Sequence, residues 1–192
     1  MCTDMLPFVD GETLYGYVAA NPNLGNQNCG KCFAMDLENA QGGVKKAIVM
    51  QTNVGYDVAS NHFDFAVPGG GYGKFNGCSN IDGWKLEDVC KDNAKCKQYG
   101  GLTDASYCEE AFEHDSSAQS ACKNILWGVF PPKDSAGFPA SLQAGNVHEV
   151  TCPAQLTHKI PSSPVAPPPK PPPPVAPKPP PLTPPYLPPP TT

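Results

Sequence analysis

The chain is a succession of short apolar runs broken by glycine and asparagine, a pattern that predicts strands more than helices. The clearest run is Ala47-Ile48-Val49-Met50-Gln51-Thr52, apolar and partly β-branched, after Gly42-Gly43; it reads as a buried strand. Residues 16–20 and 33–37 are weaker strand candidates. Residues 125–130 are another, closed by Pro131-Pro132, and residues 147–152 read as a late strand. Helical periodicity is scarce; residues 104–120 have room for one short helix between Cys108 and Cys122. Short strands at irregular spacing with long loops predict a small, mainly β fold of barrel type that carries its function on loops. No repeat of 20–50 residues is visible before the tail.

Composition divides the chain in two. Of its 192 residues, 25 are proline, and 18 of these fall after residue 160. The division is placed at 1–157, a length suited to one domain with a core, and 158–192, a proline-rich tail. Proline fixes φ and removes a backbone donor, so the tail is expected to be disordered or polyproline II, reaching on the order of 100 Å. A stiff solvated stalk is one reading of it and a PxxP ligand for an aromatic groove is the other. All 13 basic residues are lysine, against 18 acidic ones, for a net charge of −5. An acidic chain without arginine is a poor match for nucleic acid or an anionic membrane surface, and no run of 18 apolar residues is present to span a bilayer. A neutral polysaccharide remains open as partner.

All nine cysteines (2, 29, 32, 78, 90, 96, 108, 122 and 152) precede the tail. That density predicts a disulfide framework made in an oxidising, extracellular setting. Cys29-Gly30-Lys31-Cys32 also fits a redox or zinc half-site, although no second CxxC or spaced His pair accompanies it. No metal or cofactor is expected.

Chemistry concentrates in residues 51–78, QTNVGYDVASNHFDFAVPGGGYGKFNGC. In an extended His62-Phe63-Asp64-Phe65 segment the phenylalanines face one way and His62 and Asp64 the other. A carboxyl beside an imidazole on a rigid strand suits acid–base work; an ordinary surface pair has the same spacing. Pro68-Gly69-Gly70-Gly71-Tyr72-Gly73-Lys74 is not a phosphate loop, because Pro68 and Phe75 occupy positions where that motif needs Gly and Ser or Thr. Its glycines suit a tight loop with positive φ beside the site.

The combination of QTN, Asn61-His62-Phe63-Asp64, PGGGYGKFNGC, Tyr99-Gly100-Gly101 and Val150-Thr151-Cys152-Pro153 resembles glycoside hydrolase family 45, over roughly residues 2–157. The resemblance implies a six-stranded double-psi β-barrel with long disulfide-linked loops, and a secreted, monomeric endo-β-1,4-glucanase acting with inversion on cellulose or a related β-glucan. It implies Asp64 as general acid, Asp57 on a loop over the cleft raising its pKa, and His62 orienting it. Tyr56, Asn61, Gly70, Gly71 and Trp84 would meet substrate, Trp84 by stacking, whereas Trp127 sits in an apolar run and reads as core. Tyr56 departs from the Gly-Gly-Asp pattern common in part of the family.

By the same resemblance Cys32 pairs with Cys152 and Cys108 with Cys122, while Cys90 and Cys96 lie in an insertion and can pair locally. Cys2, Cys29 and Cys78 match positions bonded in the family to an N-terminal segment with a Tyr-Trp-Asp-Cys-Cys-like run, which carries the general base. Nothing like that run occurs here, so the expectation is a first strand, base and leader lying upstream of Met1. Asp57 or Asn53 as substitute base is the lesser alternative. Two other functions stand beside hydrolysis: a non-hydrolytic, expansin-like glucan-binding or wall-loosening protein, and a structural wall protein whose tail is the functional part.

Overall fold

The computed structural model describes residues 5–21, 28–60, 62–74, 76, 81–91, 93, 96–132 and 137–158, the Tyr99 side chain apart. Six strands form one sheet: β1 (Phe8–Asp10), β2 (Thr13–Ala20), β3 (Cys32–Leu37), β4 (Lys46–Val54), β5 (Phe63–Phe65) and β6 (Ala144–Val150). The helical pieces are short: α1 (Leu86–Cys90), α2 (Tyr107–Ala111), α3 (Ser116–Ala121) and α4 (Ala154–Thr157), with π-helical turns at Cys96–Gly100 and Cys122–Leu126.

The expected runs at 47–52, 16–20 and 33–37 are the cores of β4, β2 and β3. β2 and β4 run parallel side by side at the centre, and both bury alternate and consecutive positions because both faces are covered. β3 continues from β4 antiparallel, and β6 completes that side. On its other edge β2 is shared: β1 pairs with Thr13–Tyr15 and β5 with Val18–Ala20. Among the described residues no pairing joins β6 back to β1 or β5, so the architecture is a six-stranded, mainly β sheet, and the closing pairings of a double-psi barrel are not traced.

Three apolar clusters hold this sheet. Leu14, Val18, Ala47 and Val49 pack with Ile125 and Val129 on one face. Tyr17, Cys32, Met50 and Leu156 pack on the other, where the Tyr17 hydroxyl donates to the Leu156 carbonyl at 2.9 Å. The third cluster is helical, built on Leu102, Phe112, Leu126 and the Cys108–Cys122 disulfide. Trp127 is partly buried against it.

Two expectations are corrected. Residues 125–130 are not a strand: amides of Trp127 and Phe130 bond the carbonyls of Cys122 and Ile125, five residues back, and the chain turns helically over the sheet. A short apolar run does not distinguish buried strand from buried helical turn. The one helix expected at 104–120 is two, because Asp115 interrupts it and caps α3 by accepting from the Ala118 amide at 2.9 Å.

Disulfides join Cys32 to Cys152, Cys90 to Cys96 and Cys108 to Cys122. Cys32 is thus committed to a structural bridge, which removes the zinc or redox half-site reading of the CxxC segment. Cys29 carries an exposed free thiol; Cys2 and Cys78, and the tail from residue 159, lie outside the described residues. Among the described residues no helix is long and apolar enough to cross a membrane.

Candidate active site

β5 is only three residues long, yet its register fixes the site. Asp64 pairs with Ala19, and Ala19 pairs on its other side with Asn53. The second pairing depends on a bulge: Val18 opposes Gln51, Ala19 opposes Asn53, and Thr52 is the extra residue. Bulges re-aim side chains beside functional sites. Here the bulge sets Asn53, Ala19 and Asp64 in one row across three strands, so Asn53 and Asp64 share a face about 10 Å apart by strand spacing. The small Ala19 between them leaves the row open as a floor.

That row lines an open cleft of about 800 Å³. Phe63, Phe65, Val67 and Phe130 line it from the sheet side, and Trp84, Leu86 and Glu87 line it from the helical side. Phe63 and Phe65 pack onto Phe33 and Phe130, ring centroids 5.6 and 6.1 Å apart. His62 and Asp64 are exposed, as the alternation of the segment predicts. The Asp64 carboxyl sits above its ordinary range: partial desolvation within the cleft raises it first, the Asp57 charge raises it further, and His62 opposes both. Asp57 stands on the turn after β4, which is anchored by the buried Val58 and by a hydrogen bond from the Asn21 amide to the Val58 carbonyl.

Of the other expected site residues, Gly70 and Gly71 line the cleft in the glycine loop. Trp84 lines it too, but its ring stands edge-on to Phe112 at 4.8 Å and its indole N–H donates to Asp115 at 3.1 Å. Tyr56 is 82% exposed and stands apart from the cleft lining. Asn61 lies outside the described residues. Sequence reasoning passed over Tyr72 and Glu87, which line the cleft and hydrogen-bond to each other at 3.0 Å. They are 15 residues apart, and no spacing rule links them.

An acid with raised pKa in a solvent-open cleft is an arrangement suited to general-acid chemistry. The chain belongs to glycosyl hydrolase family 45, whose model matches residues 1–160. It is similar to an endoglucanase of Cryptopygus antarcticus, 33% identical over 83% of this chain and 64% of that protein. Endoglucanase B of Cellvibrio japonicus is also 33% identical, over 82% of this chain and 34% of that protein. The crystal structure of the cellulase from the Antarctic springtail Cryptopygus antarcticus superposes with a TM-score of 0.55 at 29% identity, covering 82% of this chain and 69% of that one. The chain spans less than two thirds of the length of the curated relatives it matches.

Proposed function

We propose that this chain carries the catalytic unit of a secreted endo-β-1,4-glucanase that hydrolyses cellulose or a related β-glucan with inversion, and that Asp64 is its general acid. The observation that carries the reading is Asp64 with its raised pKa, at the edge of an open cleft and under the field of Asp57. The glucan chain lies along the cleft. Protonated Asp64 gives its proton to the glycosidic oxygen as the C–O bond breaks, so the departing sugar leaves as an alcohol. Water attacks the anomeric carbon from the opposite face and loses its proton to a base; no described residue is assigned that role. Asp57 acts through its charge on Asp64, and His62 limits the rise. In this reading Asn53, Gly70 and Gly71 meet sugar hydroxyls from the cleft lining and Trp84 stacks on a sugar ring, while Tyr56 and Asn61 are assigned to substrate on the family resemblance alone.

Residues 158–192 are assigned as a linker or stalk; the family match ends at residue 160, where the proline-rich composition begins. An extracellular location is supported by three disulfides. The family match favours hydrolysis over the expansin-like reading. The test is reducing-sugar release from carboxymethylcellulose, with Asp64→Asn as control. Because no residue of this chain is assigned as base, the expected result is little release by the chain alone, release by the chain joined to a base-bearing N-terminal segment of a family relative, and its loss in the Asp64→Asn variant of the joined chain. Activity of the joined chain that survives Asp64→Asn would overturn the acid assignment, and binding without release by the joined chain would return the expansin-like alternative.

A further inference from the structure

The glycine loop, Pro68 to Lys74, lines the cleft along its whole length, yet its composition gives it no rigidity of its own. Gly69, Gly71 and Gly73 all have φ between 74° and 96°, a region that three consecutive alternate glycines enter and leave easily. Something outside the loop must hold it. Leu102 donates to the Gly69 carbonyl at 2.7 Å, Tyr72 to the Lys97 carbonyl at 2.9 Å and Gly73 to the Gln98 carbonyl at 2.9 Å. Gly71 lies so close to the π-helical turn that a Cβ there would meet the Gln98 carbonyl oxygen at 2.4 Å.

Tyr72 makes a second connection. Its hydroxyl donates to Glu87 Oε1 on α1 at 3.0 Å. Glu87 stands three residues before Cys90, and Lys97 one residue after Cys96, and those cysteines are bonded to each other. The path therefore closes: Tyr72 amide to Lys97, Cys96 to Cys90, along one turn of α1 to Glu87, and back to the Tyr72 hydroxyl. An isolated exposed hydrogen bond contributes little. One that closes a ring through a covalent bond restrains every member, because no member moves without breaking a bond elsewhere.

We infer that Tyr72 and Glu87, joined through the Cys90–Cys96 bridge, form a clamp that fixes the glycine loop as one wall of the cleft, and that both are positioning residues for the bound polymer. Partial burial and the neighbouring Glu87 push the Tyr72 phenol up, which keeps it a donor across the working range. The loop lines the cleft without touching the Asp64 carboxyl in any contact the structure records, so its loss weakens sugar binding more than proton transfer, and the effect falls on KM before kcat. The consequence for KM rests on the glucanase reading; the consequence for loop rigidity does not.

The test uses the full chain with Tyr72→Phe, Glu87→Ala, Glu87→Gln and the Tyr72→Phe/Glu87→Ala pair. Amide hydrogen exchange at Tyr72 and Gly73 reads the clamp, and KM and kcat on cellohexaose read its use. Tyr72→Phe and Glu87→Ala should each speed exchange and raise KM roughly threefold to tenfold, the loss of about one hydrogen bond. The double variant should match either single one, and Glu87→Gln, which keeps an acceptor oxygen, should restore both readouts. Unchanged exchange in Tyr72→Phe, or Glu87→Gln as damaging as Glu87→Ala, overturns the clamp. Faster exchange with KM unmoved overturns the positioning role. If the parent chain hydrolyses nothing, as the lack of an assigned base allows, its dissociation constant for cellohexaose replaces KM as the readout of positioning; a chain that binds no cellohexaose overturns the glucan reading, while the exchange ladder still decides the clamp.

Discussion

Asp64 shows how a residue's chemistry is set by neighbours distant in sequence and near alike. Its proton is held by the cleft around it and by Asp57, against the pull of His62. General-acid catalysis needs the protonated form, so activity falls as pH rises through the raised pKa. Asp57→Asn removes one of the two causes of that rise, and the alkaline limb of the pH–activity profile should move to lower pH. A limb that stays in place, measured on carboxymethylcellulose, would mean that Asp57 does not act on Asp64. Stability gives an independent check of sign. Between the ordinary aspartate value of about 3.9 and the raised one, the folded state binds more protons than the unfolded state, so stability falls as pH rises across that window. Asp64→Asn should therefore melt higher than the parent at neutral pH, with the difference vanishing below the ordinary value. Equal melting curves at neutral pH would contradict the raised pKa.

Elements place these residues. β5 is short, and it is held because Phe65 lies over Gly16 of β2, where an added Cβ would come within 2.4 Å of the ring. Gly16→Ala should displace Phe65 and cost about 1–3 kcal/mol, read as a lower urea midpoint, together with reduced kcat because Asp64 is the next residue. Full stability in that variant would show that the ring has room to move. Ala19 tests the floor of the cleft. Ala19→Leu should leave the pairing of β2 intact by circular dichroism and lower kcat/KM by an order of magnitude or more, as the added side chain fills the row between Asn53 and Asp64. Much of this level was legible in sequence. The apolar run at 47–52 gave β4, and the His62-Phe63-Asp64-Phe65 alternation gave the two faces of β5. The bulge at Thr52 was not legible, since it exists only as a mismatch between two strands. Nor was the π-helical turn at Cys122–Leu126, whose apolar residues suit a strand equally well until a disulfide and the sheet surface bend them.

Over the whole molecule, the disulfides act in proportion to the chain they close. Cys32–Cys152 spans 120 residues and fastens the end of the sheet to its middle, Cys108–Cys122 spans 14 and Cys90–Cys96 spans 6. In the chain-entropy picture removing the first costs about 5 kcal/mol and removing the last about 2. Paired Cys→Ala variants compared by urea denaturation should rank Cys32/Cys152 as most destabilised, and Cys90/Cys96 should lose the least stability. A reversed order would place the Cys90–Cys96 bridge in the global fold rather than in the local wall of the cleft.

Composition and local pattern by themselves marked off the proline-rich tail, the central strands and the acidic residue on β5. Each follows from forces that act within a few residues: the fixed φ of proline and the alternation of an extended chain. The resemblance of the glycine-rich and His-Phe-Asp motifs supplied the family. Tertiary structure decided the rest. It alone set Asp64 and Asn53 in one row across Ala19, brought Asp57 within electrostatic reach of Asp64, and joined Tyr72 to Glu87 by a hydrogen bond in a ring that the Cys90–Cys96 disulfide closes. Those relations are distances between segments, and distances between segments arise only when the apolar clusters pack and the bridges close.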